Sequence, residues 1–160
     1  MPLRYLLPIA LLSVTLVAFL CAGRRGYAGL GRLQPVLRVL VAIPLMISGV
    51  FLHFLHPEMV AGIIPPIFPA HYFLAAFTGV CEVAGAIGLF VPFTRRAAAL
   101  WLALLMVAVF PANIYVAGQT IHGLHMPSVP VRTAMQWVYL VMILLAGYGV
   151  PKTGPAAQAR

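Results

Sequence analysis

The chain has 160 residues, 63% of them hydrophobic and 8% charged, against roughly 25% charged in an ordinary soluble domain. Ten Lys and Arg, two Asp and Glu and a formal net charge of +8 go with a mean hydropathy of +1.05. So few charges cannot coat a water-soluble core, which excludes a soluble fold. The basic excess arises from a shortage of acids, with the Arg residues set between apolar runs, and this excludes a nucleic-acid surface as its reason.

A helix crosses a hydrocarbon core of about 30 Å with about 20 apolar residues, and runs of that order occur at 5–22, 36–55, 71–91, 97–117 and 133–150. Uninterrupted Leu, Val, Ala and Ile without polar alternation excludes barrel strands, so the expected fold is an all-α, polytopic membrane helical bundle. The first run reads as a retained anchor and not as a cleaved secretory signal. Arg24 and Arg25 follow it directly, and the residues around Cys21 and Gly23 make a poor cleavage site. Arg24, Arg25, Arg32, Arg38, Arg95, Arg96, Lys152 and Arg160 fall on one side of the spans, and Arg4 and Arg132 on the other. The positive-inside rule then places the chain in the cell membrane with its amino terminus outside and its carboxyl terminus in the cytoplasm.

In the second run Pro44, and in the fourth Pro111, are expected to free a carbonyl one turn back and kink their helices. Between the second and third runs lies HPEMVAGIIPPIFPA, with Pro57, Pro65, Pro66 and Pro69. It is apolar enough to dip into the interface and lid the outer mouth of the bundle, or it is a plain connection. The third run carries Ala75, Gly79, Ala84, Gly85 and Gly88, and the fourth opens with Ala97, Ala98 and Ala99. Small residues at this spacing let two helices approach closely, so these runs are expected to form a tight hairpin. The tail 151–160 is read as disordered.

An ionisable group inside a span is a functional candidate by default. Glu82 lies near the middle of the third run, where an isolated carboxylate is costly and must be protonated or paired. His53, Asn113 and Gln136, from three other runs, lie at middle or outer depth and are its candidate partners in a ligand-binding or proton-handling pocket open to the outer face. The competing reading is structural: Glu82 is a protonated acid that ties helices together.

All five histidines fall on the predicted outer side. His53 and His56, with His122 and His125, form two pairs at i and i+3 that suit zinc or copper, with Glu58 as a further ligand. Interfacial side chains without a metal are the alternative, and the site is read as holding none. Cys21 and Cys81 differ in depth by about 15 Å at 1.5 Å per residue, too far for a disulfide. Without C-x-x-C, thiol–disulfide exchange is excluded.

The stretch from Leu45 to Ala117 resembles the DoxX-like membrane proteins. The resemblance is carried by H-F-x-x-P at His53 to Pro57, I-x-P-P-x-x-P through Pro69, T-G-V-x-E at Thr78 to Glu82, the Thr94-Arg95-Arg96 turn and F-P-A-N-I at Phe110 to Ile114. It covers about half the chain closely. It implies a four-helix core in 36–150, with 1–35 as an added amino-terminal helix and basic loop. That family takes its name from a small membrane subunit associated with a terminal quinol oxidase and thiosulfate:quinone oxidoreductase activity. By resemblance, His53, Pro57, Glu82 and Asn113 match family positions.

The functional expectation is an accessory subunit of a quinone-linked redox assembly, not catalytic alone. It would bind quinone or another lipid-soluble ligand near Glu82, His53 and Asn113, while a partner subunit supplies the electron carrier. A non-enzymatic membrane scaffold or assembly factor is the alternative, and a small transporter, working as a homo-oligomer, is a third.

Overall fold

The computed structural model describes residues 8, 10–14, 17 and 33–148. The expected first span, apart from those few positions, lies outside the described residues, as do Cys21, the loop with Arg24, Arg25 and Arg32, and the tail 151–160.

From Gln34 the chain runs as α1 (Gln34–Ile47), a π-helix (Ser48–Leu55), the short α2 (Pro57–Ala61), α3 (His71–Gly88) and α4 (Arg95–Tyr115). A hairpin of β1 (Thr120–Ile121) and β2 (Leu124–His125) follows, then α5 (Val129–Tyr148). Four helical stretches, Gln34–Leu55, α3, α4 and α5, are long and apolar enough to cross a membrane. They coincide with the second to fifth apolar runs of the sequence.

The four pack as a ring in which α1 touches α3 and α5, and α4 touches α3 and α5. Val41, Leu45, Leu89, Leu102, Phe110, Leu140, Ile143 and Leu144 fill the centre, each almost fully buried. Only a fifth to a third of each span is buried; Phe73, Phe77, Val80, Trp101 and Val138 point outward. An apolar face turned away from an apolar core is what a lipid-facing helix presents.

The α3–α4 hairpin is as tight as its small residues promise. A Cβ on Gly85 would run into the Leu102 side chain, and one on Gly88 would lie 2.7 Å from Ala98, so these glycines set the distance between the two backbones. The connecting turn is fastened by side chains. Thr94 Oγ1 donates to the Gly88 carbonyl at 3.0 Å and Arg95 Nε to the Leu89 carbonyl at 3.0 Å, which satisfies carbonyls orphaned at the end of α3. At the same end of the bundle, Gln34 Nε2 donates to Leu145 O at 3.1 Å and Arg38 Nε to Ala146 O at 3.2 Å. Two cations thus sit at helix carboxyl ends, where the macrodipole favours them.

At the other end, α2 packs against the π-helix and α3. The β1–β2 hairpin closes through His122 (φ 49°) and Gly123 (φ +78°). Positive φ at both central residues is the two-residue turn whose twist matches the flanking strands.

Candidate functional site

The site begins with a change of helical pitch. One turn beyond Pro44 the α-helix gives way to the π-helix, whose end is marked by the His56 N–H bonding the Phe51 carbonyl at 3.0 Å. Wider π turns re-aim side chains relative to an α-helix and are frequent at functional sites. Here the π-helix lies against α3 through two glycines. A Cβ on Gly49 would meet Val83 at 2.7 Å, and a Cβ on Gly79 would meet the His53 Cβ at 2.5 Å. The imidazole of His53 is thereby laid along α3 and buried.

Its two nitrogens have different tasks. Nδ1 donates to the Ala75 carbonyl at 2.6 Å, with the Thr78 hydroxyl 3.1 Å away; that hydroxyl is itself turned back onto the Leu74 carbonyl at 2.9 Å. A proton fixed on Nδ1 leaves Nε2 as the variable nitrogen, and Nε2 stands 3.7 Å from Oε2 of Glu82. Glu82 is buried on α3, and its Oε2 has no hydrogen-bond partner among the described residues. Ser48, from the π-helix, lies close to the carboxyl group. Tyr139, from α5, lies within electrostatic reach of it and donates to the Val41 carbonyl at 2.7 Å. The pair can hold a proton as acid and imidazole or as carboxylate and imidazolium, in surroundings where either form polarises a bound group strongly.

Asn113 and Gln136 meet each other, with different partners. Asn113 Nδ2 donates to Gln136 Oε1 at 3.3 Å, and Gln136 Nε2 donates to the Met106 carbonyl at 2.8 Å. That carbonyl is next to the one Pro111 frees on Val107. Arg132, from the first turn of α5, places Nη1 2.7 Å from Asn113 Oδ1. The four residues picked out by depth therefore fall into two pairs, His53 with Glu82 and Asn113 with Gln136, each crossing between two spans.

The proline-rich loop places Pro57 at the start of α2, over the seam of the π-helix and α3. Pro65 is half-buried, while Pro66 and Pro69 are exposed. His56 Nδ1 lies 3.3 Å from Glu58 Oε1. A backbone hydrogen bond holds the Glu58 carboxyl below its ordinary range; slight desolvation opposes this, and His56 and His122 reinforce it. Among the described residues no three His, Cys, Asp or Glu side chains are placed to share a metal ion. Cys81 is a free, half-buried thiol.

The sequence alone assigns no site role to Ser48, Thr78, Tyr139 or Arg132; Thr78 enters only as the edge of a motif and Arg132 only as an outer-side charge. Thr78 was the most accessible, because it precedes Glu82 by four residues and so shares its helix face. Tyr139 stands three residues after Gln136, the same relation at the next turn. Ser48 had no such signal, since its alignment with Glu82 depends on the π pitch.

Among the described residues the fold and site together define a class: four apolar, membrane-length helices with a buried histidine–glutamate pair between two of them. A family model described as a domain of unknown function (DUF8561) matches residues 41–146. That is two thirds of the chain, and the chain belongs to this family. The matched segment holds both pairs and Arg132. No curated protein and no solved structure matches the chain.

Proposed function

We propose that this is an integral membrane protein of DoxX-like character, an accessory subunit of a quinone-linked redox assembly that binds a lipid-soluble ligand beside Glu82 and His53. The observation that carries the reading is the buried Glu82 Oε2, unpartnered among the described residues and 3.7 Å from an imidazole nitrogen whose tautomer is fixed from the other side. A carboxyl oxygen in that position offers a proton or a hydrogen bond to a ligand carbonyl, and His53 re-protonates it. Reduction of a quinone to a quinol takes two electrons and two protons. The electrons come from a partner subunit carrying the redox centre, and the residue pair relays the protons. The apolar outward faces supply the lipid contact through which such a ligand arrives.

A second reading, a membrane scaffold whose polar groups tie helices together, is favoured by the other pair. Asn113, Gln136 and the Met106 carbonyl form a tie between α4 and α5 without ionisable chemistry.

The two readings separate on one experiment. The full chain, extracted in mild detergent, is analysed by mass spectrometry for co-purifying subunits and extractable quinone, as wild type and as Glu82→Gln. The redox reading expects a redox partner or quinone with the wild type, the quinone falling at least tenfold in the variant at equal protein yield. Bulk phospholipid alone in both samples would leave the scaffold reading in its place.

A further inference from the structure

Arg132 has an electrostatic problem that the other described residues do not solve. It stands in the first turn of α5, half-buried, at the end of the bundle that also carries His56, His122 and the β1–β2 hairpin. Nη1 is taken by Asn113 Oδ1 at 2.7 Å, and Nη2 faces the sulfur of Met126 at 2.9 Å. Nε is buried and has no acceptor among the described residues. A guanidinium is always charged and carries five N–H donors. A thioether, the weakest acceptor among side chains, is a poor second partner for it.

Nor does the chain hold an Asp or Glu side chain to spare. It has two acids, and each faces a histidine instead: Glu58 lies against His56 and Glu82 against His53. The other cations placed at helix ends differ in kind. Arg38 and Arg95 lie on orphan carbonyls at the carboxyl ends of α5 and α3, which carry the opposite partial charge. Arg132 lies at the amino end of α5, where the helix dipole adds to its own positive charge.

We infer that Arg132, steadied by Asn113, is the cationic floor of a binding site for a phosphate-type oxyanion, reached from the hairpin end of the bundle. The Nε–Nη2 edge of the fork suits two oxygens of one such group, and Met126, on the loop between β2 and α5, is the side chain displaced when the anion seats. Gln136 holds Asn113 from the other side and so keeps the fork oriented. The group is either free inorganic phosphate or the phosphodiester of a lipid headgroup. The inference is separate from the quinone reading and survives its failure.

The test uses the full chain in a zwitterionic detergent at constant ionic strength, set with chloride. Thermal unfolding is followed while inorganic phosphate is titrated in, and separately with mixed micelles containing phosphatidylglycerol or phosphatidylcholine. A saturable upward shift with phosphate is expected for wild type and for Arg96→Gln, an exposed cation at the opposite end. It should be absent in Arg132→Gln and weakened severalfold in Arg132→Lys, which keeps the charge and loses the fork. A shift with phosphatidylglycerol only, lost in Arg132→Gln, assigns the site to a headgroup. Equal shifts in wild type and Arg132→Gln, or no shift with either source, overturn the inference.

Should Arg132→Gln fail to fold, phenylglyoxal labelling of the wild type decides. The effective anion should protect Arg132 at least threefold and leave Arg96 unprotected; equal labelling with and without it would refute the site.

Discussion

A single missing carbon decides where the imidazole of His53 sits. Gly79 brings the π-helix so close to α3 that a Cβ there would stand 2.5 Å from that of His53, and the ring then reaches both the Ala75 carbonyl and the Glu82 carboxyl. Gly79→Val is therefore expected to destabilise the protein by about 1–3 kcal/mol through overpacking and to pull His53 off Glu82. Thermal unfolding checks the first, and loss of quinone retention in a variant that still folds checks the second. Glu82 and His53 stood out in the sequence because an ionisable group in an apolar span has few innocent explanations. Arg132 did not, since a sequence counts a cation by the loop it neighbours, whereas its burial and its partners depend on how α4 and α5 pack.

Hydropathy alone marks the four described spans, because lipid leaves a helix no choice but a long apolar run, and the structure moves their ends by only a few residues. Pitch is another matter. Nothing in Ser48–Leu55 separates a π-helix from an α-helix; the preceding proline and the two facing glycines explain it only once they are seen together. The β1–β2 hairpin carried a weak signal in His122-Gly123, hidden inside a segment read for its histidines.

The turn between α3 and α4 shows how a short element is secured when it cannot bury a core of its own. Thr94→Ala removes a hydroxyl that bonds the Gly88 carbonyl at 3.0 Å and the Val91 carbonyl at 3.3 Å. A loss of about 1 kcal/mol is expected, measurable as a lowered unfolding midpoint. Hydrogen exchange should rise in the last turn of α3 while the π-helix stays protected. Equal loosening of both segments would mean that the turn supports the whole ring rather than one helix end.

Across the molecule, polar chemistry is sorted by end. One end carries Gln34, Arg38 and Arg95 on helix carbonyls; the other carries His56, Glu58, His122, His125 and the half-buried Arg132. The first carries Arg38, Arg95 and Arg96, which the positive-inside rule assigns to the cytoplasm, so the histidine end, which also carries Arg132, should face outward. Two exposed side chains report this directly: Ile67, 83% exposed in the loop after α2, and Phe93, 88% exposed in the α3–α4 turn. With Cys21 and Cys81 replaced by Ala, Ile67→Cys should react with a membrane-impermeant maleimide on intact cells, and Phe93→Cys only after permeabilisation. The reverse pattern would turn the protein over and place the histidine end and Arg132 on the cytoplasmic side, where an anion would have to be supplied from within the cell. Labelling of both positions from outside would mean that α3 does not cross the membrane, and its buried glutamate would then need an explanation other than lipid.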